Sequence, residues 1–487
     1  MTGNQTWQSD IVIIGGGGAG LMAAAAALEN GVKSLIILEK RSQLGGNAVN
    51  PAGLLAAETP LQKKLGMDSR KDEVFRKAME YSHWRINGPL VRALIDKSAD
   101  TLQWMEDKGV KFTSIVTHYP NQFPNTYHTT SGTGAGRQIV TILSQELQKS
   151  KAVRILCNTP AVHITIDKEG RVSGVRAKNS DGATVNIKAK GVIISTGGFS
   201  GNEKLIQQYD PAYKKAEIPP RGIPLEGDGI KMAAEIGAAL DGMVSYEWEH
   251  FSGTVFLTTV ARKPVNLWVN KKGQRFTDES IQIMVEAANA IYRQPGKIMY
   301  CLFDSSIKDT MLSDVLTPFE AFFIGDQEKE SAAWPFAEKV EKDIAAMIAD
   351  GKASSAMSWT EIAGYIGAKP EILRATIDEY NSFCAKGHDD IFAKNYAWLK
   401  PLLTPPFYAL KCNIGLTATH GGIKINQYTE VLNNEDEPIP GLYAAGNETG
   451  ATDGESYNMA LSGHSFSFAV NTGRIAGQQA AAYILKK

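Results

Sequence analysis

The stretch that decides the fold is SDIVIIGGGGAGLMAAAAALENG, residues 9–31 of a 487-residue chain. Its first part, residues 10–15, is a short β-branched apolar run, which predicts a buried parallel strand. The alanine-rich run that follows predicts a helix that ends at Asn30 and Gly31. SLIILEK, residues 34–40, predicts the next strand. The three segments together predict a right-handed β-α-β unit with parallel strands.

The glycines of this stretch lie at the predicted turn from strand to helix. Gly15, Gly17 and Gly20 form the pattern G-x-G-x-x-G, in which the glycines permit a tight turn, close approach of a pyrophosphate and close helix–strand packing. The helix N-terminus offers amide groups and partial positive charge to an anion. Glu39 ends the second strand, where an acidic side chain can accept from a ribose hydroxyl. The unit therefore predicts dinucleotide binding.

Three downstream segments favour FAD over NAD as the dinucleotide. In residues 39–54, EKRSQLGGNAVNPAGL, the loop after Glu39 would lie along the dinucleotide toward a larger ring system. Two predicted strands end in glycines, at residues 195–202 (STGGFSGN) and 441–454 (GLYAAGNETGATDG), which suits close approach by a ribityl chain. The sequence thus predicts a flavoprotein.

Composition excludes several other classes of function. With 51 basic and 52 acidic residues the net charge is −1, which gives no electrostatic case for binding nucleic acid. The four cysteines form no CxxC pair, so a zinc site, a dithiol centre and c-type haem attachment are unsupported. No apolar run reaches the ~18 residues of a membrane span, and the N-terminus lacks the layout of a secretion signal. We expect a cytoplasmic protein.

The order of the strand and helix patterns along the sequence predicts an α/β fold with a discontinuous domain. Strand patterns return after the prolines near residue 405, which predicts a Rossmann-like FAD-binding domain built from residues 1–201 and 405–487. Residues 202–404 predict an inserted α+β capping domain that contributes to the substrate site. Within it, residues 331–350 and 359–384 predict amphipathic helices. A final helix is predicted from about residue 463.

These segments, with VNKKGQRFTDE, YNSFCAKGHDDIF and THGGIKIN, resemble the fumarate reductase and succinate dehydrogenase flavoprotein family. The similarity is greatest to its soluble bacterial branch, which includes urocanate reductases and 3-ketosteroid dehydrogenases. The resemblance implies non-covalent FAD under a capping domain. It also implies hydride transfer between flavin N5 and a C=C bond conjugated to a carbonyl or carboxyl group.

The resemblance implies a set of cofactor-binding residues. Those expected along the pyrophosphate, the adenosine and the loop toward the flavin are Gly15, Gly17, Gly18, Ala19, Gly20, Glu39, Lys40, Gly45, Gly46, Asn47, Gly53 and Val162. Further expected contacts are Thr196, Gly197, Gly198, Asp228, His420, Gly446, Asn447, His464, Ser465 and Phe466. Asn447 stands where the family usually has Glu. The last three residues begin the final helix, whose N-terminus should point at the flavin C2 carbonyl.

The sequence departs from the family where a dicarboxylate would be held. The proton-donor arginine falls at Ile283, and the histidine pair of the family falls at Thr417 and Ala418. A second arginine falls at Tyr457 or, counted from the final helix, at Ala460. Because guanidinium groups match carboxylates bidentately, their loss argues against fumarate or succinate as substrate.

The expected catalytic residues are Tyr457, Arg262 and His250. A phenol at Tyr457 could donate to one ketone or carboxyl oxygen, and His250 could assist it. Arg262 or a tyrosine could protonate the substrate carbon. Each also has a plain alternative, since Tyr457 could pack, His250 could be structural and Arg262 could pair with an acid. The pattern favours a substrate with one polar end and an apolar or aromatic body.

Two other functions remain open from the sequence. One is an oxidase or dehydrogenase of an amino or carboxylic acid, and the other is an FAD-bound electron-relay subunit without its own catalysis. The sequence contains a single G-x-G-x-x-G. Electrons would therefore come from a redox partner, from free reduced flavin or from NAD(P)H at the same site.

Overall fold

The computed structural model describes residues 5–116, 122–251, 260–281, 284–313 and 336–486. The strands are β1 Gln5–Ile14, β2 Leu35–Leu38, β3 Gly53–Leu55, β4 Phe112–Val116, β5 Tyr127–Thr130, β6 Val153–Leu156, β7 Ala161–Ile166, β8 Val172–Lys178, β9 Thr184–Ile194, β10 Leu240–Phe251, β11 Leu267–Val269, β12 Ile298–Asp304, β13 Ala353–Ala356, β14 Phe407–Ile423, β15 Glu430–Leu432 and β16 Pro438–Ala444. The helices are α1 Gly18–Glu29, α2 Pro60–Lys64, α3 Lys71–Tyr81, α4 Gly88–Asp107, α5 Ala135–Lys149, α6 Glu203–Tyr209, α7 Asp228–Glu235, α8 Met284–Tyr292, α9 Ser305–Ser313, α10 Phe336–Ala349, α11 Trp359–Ile366, α12 Pro370–Lys386 and α13 His464–Leu485.

The chain divides into two compact units. Unit 1 contains residues 1–212, 220–246 and 418–487, and unit 2 contains residues 213–219 and 247–417. The domain bounds read from the sequence, 1–201 with 405–487 and 202–404, stay a prediction. Among the described residues, no helix combines the length and apolar character needed to cross a membrane.

Unit 1 is organised around a largely parallel sheet. Its strands follow the order β15-β16-β9-β1-β2-β6, and β8 and β7 continue from β9 as an antiparallel extension. Strand β1 pairs in parallel with β2 on one side and with β9 on the other. Its residues 11–14 are 3% exposed or less, as expected for a central parallel strand. The predicted β-α-β unit is confirmed.

Helices α1 and α13 pack against each other at backbone distance. A Cβ on Gly473 would lie 2.4 Å from the carbonyl oxygen of Ala19, and one on Gly477 would lie 2.3 Å from that of Ala23. Residues thus meet in the same order along both helices, so the helices are parallel. Their N-termini therefore lie at the same end of the layer that covers the sheet.

Unit 2 has an antiparallel sheet of its own. Strand β12 pairs with β11 and with β14, and β13 pairs with β14. The predicted helical segment at residues 359–384 forms two helices. Gly367, at φ 78°, ends α11 in a left-handed conformation, and Pro370 begins α12.

A buried charge network lies in unit 2. Glu279 accepts from Arg275 Nε at 2.8 Å, and Lys394 Nζ lies 3.1 Å from the same carboxylate. Asp389 pairs with Arg275 at 2.8 Å, and Lys394 donates to the Asn266 carbonyl. Since an unpaired buried charge is costly, each partner holds the others in place. These residues belong to the GQRFTDE and GHDDIF segments, which the structure assigns to the core of unit 2.

The close contact of α1 and α13 can be tested with one methyl group. We expect Gly473→Ala to lower the melting temperature and the FAD content of the purified protein, because the added Cβ meets backbone that cannot move aside. Differential scanning fluorimetry and the flavin absorbance report both quantities.

The matched control is Gly364→Ala in α11, where a Cβ would meet nothing within 4 Å. A helical glycine-to-alanine change in open space stabilises by roughly 0.4–1 kcal/mol. Equal melting temperatures for the two variants would contradict the packing assigned to α1 and α13.

Candidate functional site

Some glycines of the turn after β1 are required by packing, and others border open space. The space beside Gly17 and Gly46 is called the cradle. A Cβ on Gly20 would lie 2.1 Å from the Gly15 carbonyl oxygen, so this glycine is required for helix–strand packing. At Gly17 the nearest protein atom to a Cβ would be the Gly45 carbonyl oxygen, 4.0 Å away. Gly46 is similarly open, with its nearest neighbour at 3.8 Å. Space is therefore left between the first turn of α1 and the 45–46 turn.

The acidic residue at the end of β2 is buried beside this cradle. Glu39 Oε2 accepts from the Gly16 amide at 2.8 Å, and Oε1 accepts from the Arg41 amide at 2.8 Å. Each carboxylate oxygen has a second lone pair, so Glu39 can still accept from a ribose hydroxyl. Its first task is to hold the glycine turn in place.

Two other residues that are predicted to contact the cofactor also bind protein groups. Lys40 Nζ lies 2.6 Å from Asp228 Oδ2, in a pair that is about one-third exposed. The Asn47 side chain donates to the Ile223 carbonyl at 3.1 Å and accepts from its amide at 2.8 Å. Both residues thus tie the loop after β2 to residues 223–228.

The glycine-rich end of β9 meets the turn after β16. The Gly197 amide donates to Glu448 Oε2 at 2.8 Å, and Thr196 Oγ1 accepts from the Gly229 amide. A Cβ on Gly198 would lie 2.3 Å from Thr419 Oγ1, so Gly198 is set by packing.

Glu448 is fully buried and was missed by the sequence reasoning. Its Oε1 has no hydrogen-bond partner within the described part of the chain. Burial raises the pKa of Glu448 to about 7, although the amides of Glu448, Gly197 and Thr196 oppose the rise. The neighbouring Asn447 donates from its side chain to Ser465 Oγ at 3.1 Å. The Glu448 carboxyl thus links the turn after β16 to the glycine-rich end of β9.

The first turn of α13 lies beside the cradle. Gly463, at φ 82°, is the N-cap of the helix, and Phe466 lies 3.6 Å from a Cβ built on Gly18. The Ser465 amide donates to the Tyr457 hydroxyl at 3.2 Å. The N-terminus of α13 therefore already polarises one phenol.

A buried cluster of titratable groups surrounds that phenol. Asp453 Oδ2 lies 2.8 Å from His420 Nδ1 and 3.3 Å from His464 Nε2. The Tyr457 ring stacks on His464 with 4.6 Å between centroids and meets His420 edge-on at 5.6 Å. All four residues are 5% exposed or less. The cluster thus joins His420, in β14, to three residues that lie more than 30 positions later in the sequence.

Known proteins share this architecture. A family model described as an FAD binding domain matches residues 10–460. A vinyl phenol reductase from Lactiplantibacillus plantarum is 28% identical, over 97% of this chain and 96% of its own length. A fumarate reductase (cytochrome) from Shewanella frigidimarina is 30% identical, over 98% of this chain and 78% of its own length. The solved open conformation of a flavocytochrome c3 fumarate reductase matches with a TM-score of 0.75 and 25% identity, covering 99% of this chain and 79% of that one.

The chain belongs to the FAD binding domain family. The predicted family resemblance, the α/β fold and the FAD cofactor are confirmed. So is the predicted class, an FAD-dependent oxidoreductase that acts on carbon–carbon double bonds.

The residues of the cradle fit FAD on the observations above. A side chain at Gly17 would fill the open space, and the first-turn amides at Gly18, Ala19 and Gly20 have no carbonyl partner within a helix by geometry. They would hold the pyrophosphate, and Glu39 would hold the adenosine ribose. Gly446, at φ 94°, lies against Ala19 and would border the bound FAD at the cradle.

The roles of the other predicted site residues stay predictions, and the structure gives their surroundings. Gly53 is required by strand packing, since its Cβ would lie 1.9 Å from the His128 carbonyl oxygen. Val162 lies in β7 with a side chain 39% exposed. Arg262 is half-buried in unit 2, directly after the buried pair Val260 and Ala261. The side chain of His250 and the position of Ile283 lie outside the described residues.

The buried carboxyl of Glu448 predicts a pH-dependent stability. Because its folded pKa of about 7 exceeds the ordinary 4.5, the folded protein retains a proton that the unfolded chain has lost between these values. Stability therefore falls as pH rises through that window. We expect Glu448→Gln to abolish this loss. Between low pH and pH 7.5 the free energy of unfolding of the variant should therefore rise relative to that of wild type by up to about 3 kcal/mol.

Urea unfolding of the flavin-loaded protein at a series of pH values measures the difference. Glu435→Gln, at an exposed turn residue, is the control and should track wild type at every pH. Parallel pH curves for wild type and Glu448→Gln would show that the Glu448 carboxyl is not held neutral.

Proposed function

We propose that this flavoenzyme reduces the C=C bond of a small molecule with one polar end and an aromatic or apolar body, such as a vinyl phenol. One observation carries the proposal. Near a position where the family has an arginine, the chain has the buried Tyr457, whose hydroxyl accepts from the amide of Ser465 at the N-terminus of α13. A phenol donates one hydrogen bond to a single substrate oxygen, whereas a guanidinium donates two hydrogen bonds to a carboxylate.

The comparison with the vinyl phenol reductase supports this substrate class. That protein and this chain match over nearly their whole lengths. A vinyl phenol has a hydroxyl at one end of an aromatic ring and an alkene at the other. The fumarate reductase from Shewanella acts on a dicarboxylate, for which this chain lacks the arginine expected at position 283 and the one expected at position 457 or 460.

Within the proposed reaction, bound FAD supplies the two-electron reduction. The chain binds and orients, with the first-turn amides of α1 on the pyrophosphate and Tyr457 on the substrate oxygen. A hydroxyl can accept and donate at once, and acceptance from a helix N-terminal amide makes it a stronger donor. Where the alkene is conjugated with a carbonyl, donation to the carbonyl oxygen stabilises the negative charge that hydride addition places there. In a vinyl phenol the same hydrogen bond binds the hydroxyl and orients the ring.

Other parts of the proposal concern residues and partners away from Tyr457. We keep Arg262 as proton donor to the substrate carbon and His250 as a second polar contact. The electrons come from a redox partner, reduced flavin or NAD(P)H, and the enzyme works in the cytoplasm.

The substrate class is tested by reoxidation of the reduced enzyme. The flavin is photoreduced without oxygen and mixed with 4-vinylphenol, cinnamate, urocanate, a 3-ketosteroid or fumarate, while its absorbance is followed. We expect rapid reoxidation by 4-vinylphenol or another compound with one polar end, with the saturated product seen by chromatography. Reoxidation by fumarate alone would overturn the proposed substrate class.

The role of Tyr457 is tested by removing its hydroxyl. We expect Tyr457→Phe to lower kcat/KM on the best substrate by about 10²-fold, as for loss of one hydrogen-bond donor to a developing charge. FAD content should be unchanged, since the ring and its packing remain. Tyr396→Phe, at a side chain 76% exposed in unit 2, is the matched control. Full activity in Tyr457→Phe would assign Tyr457 to packing.

A further inference from the structure

Asp453 is a buried carboxylate that no step above uses. Its Oδ2 lies 2.8 Å from His420 Nδ1 and 3.3 Å from His464 Nε2, and its Oδ1 accepts from the Asn458 amide at 2.8 Å. The residue is 5% exposed. Burial alone raises the pKa of its carboxyl, but the two imidazoles beside it hold that pKa well below its usual range. Asp453 is thus an ionised carboxylate with three neighbouring N–H groups.

Each of these three groups adjoins Tyr457. The His464 ring stacks on the face of the phenol ring with 4.6 Å between centroids, and the His420 ring meets its edge at 5.6 Å. Asn458 follows Tyr457 directly in the chain. One carboxylate therefore binds the groups that border the phenol on its face, on its edge and along the backbone.

The carboxylate decides which ring nitrogens carry hydrogen. An ionised carboxylate only accepts hydrogen bonds, and a lone pair on a nitrogen facing it would be repelled. Hydrogen must therefore lie on Nδ1 of His420 and on Nε2 of His464, and an imidazole donates in this way whether or not it is charged. Such a bond from an imidazole to a carboxylate also fixes the orientation of the ring.

The orientation of the neighbouring rings matters because the Tyr457 hydroxyl is held by a long bond. It accepts from the Ser465 amide at 3.2 Å, which is at the upper end of the usual range for such bonds. A small rotation of the phenol would break this bond. With the ring held on its face and its edge, the hydroxyl keeps the bond and directs its own hydrogen away from the amide.

We propose that Asp453 is a positioning residue, which fixes the rings of His420 and His464 by accepting their N–H groups and so aims the Tyr457 hydroxyl at the substrate oxygen. The proposal rests on the proposed function, because that function assigns Tyr457 to the substrate oxygen. Asp453 acts through its neighbours and is not itself a catalytic residue.

The first experiment locates the histidine hydrogens and does not depend on turnover. Nitrogen–proton correlation spectra of the oxidised holoenzyme, with isotopic nitrogen in its histidines, show which ring nitrogens carry hydrogen. We expect hydrogen on Nδ1 of His420 and on Nε2 of His464, with the signals assigned by their absence from His420→Gln and His464→Gln. Asp453→Asn should alter at least one of the two patterns, because an amide offers one acceptor and one donor group.

The second experiment measures the effect of Asp453 on the reaction. We expect Asp453→Asn to lower kcat/KM per bound FAD on the best substrate by about tenfold to a hundredfold, as for displacement of a reacting group by about 1 Å. In a Tyr457→Phe background the same change should cost less than about twofold, because two residues that act through one hydroxyl are not additive. A role in folding alone would produce the same loss in both backgrounds.

Asp389→Asn is the matched control. Asp389 is also a buried carboxylate, but it pairs with Arg275 at 2.8 Å in unit 2. Its replacement should lower the melting temperature, since it leaves buried charge less well paired. We expect kcat/KM per bound FAD in this variant to stay within roughly twofold of wild type.

Binding of a compound that cannot be reduced separates this proposal from the proposed function. 4-Ethylphenol cannot accept electrons, and its binding to the oxidised holoenzyme is followed by the change in flavin absorbance. We expect its Kd to rise about tenfold in Asp453→Asn and by a similar factor in Tyr457→Phe, as for loss of one hydrogen bond. If these shifts occur while 4-vinylphenol is not reduced, the proposed function fails and the positioning role stands.

Three results would overturn the positioning role. The first is wild-type enzyme in which His420 Nδ1 or His464 Nε2 carries no hydrogen, which is decisive even if Asp453→Asn does not fold. The second is an equal loss of kcat/KM from Asp453→Asn with and without the Tyr457 hydroxyl. The third is stoichiometric, tightly bound zinc in the purified enzyme. The three possible ligand atoms lie within 4.8 Å of one another, and a metal there would take the lone pairs of both imidazoles.

Discussion

The contact between α1 and α13 is the constraint on which the site depends. At Gly473 and Gly477 the two helices approach so closely that one added carbon would meet the backbone at Ala19 or Ala23. Because the helices are parallel, the contact also places both N-termini at the same end, with α13 beginning about eight residues before the point that faces the start of α1. One N-terminus faces the open cradle at Gly17, and the other supplies the amide that bonds Tyr457. The cofactor site and the proposed substrate contact therefore follow from the same pair of helices.

The sequence predicted the β-α-β unit well because close approach of backbone to backbone requires glycine, and the glycines are visible in the sequence. At Gly15 and Gly20 a Cβ would meet backbone oxygen near 2 Å, so only glycine is possible and the pattern is visible without an alignment. A required glycine does not show which group lies against it, a cofactor or another part of the protein. At Gly53 it is the carbonyl oxygen of His128 in a neighbouring strand. At Asn47, which is predicted to lie in the cofactor loop, the side-chain amide also binds the backbone of Ile223.

Glu448 and Asp453 were missed for the opposite reason. Both lie in NETGATDG, where acidic residues among glycine and threonine are typical of an exposed turn. Their burial depends on contacts made far along the chain, with Gly197 for Glu448 and with His420 for Asp453. A turn pattern contains no information about such partners. His420 was expected at the flavin edge, and only the structure shows that it shares a carboxylate with His464.

The two buried charge networks described above differ in one chemical respect. In unit 2, Glu279 is held by Arg275 and Lys394, and an arginine retains its charge at every pH at which the protein is folded. That network suits a core, where a change of charge would be destabilising. In unit 1 the partners of Asp453 are the imidazoles of His420 and His464, which bind a carboxylate by N–H donation. A guanidinium places a permanent positive charge beside its carboxylate, whereas the imidazole pair binds Asp453 through directed N–H donors. The permanent charges thus lie in the core of unit 2, and the imidazoles in unit 1 contact the Tyr457 ring on its face and its edge.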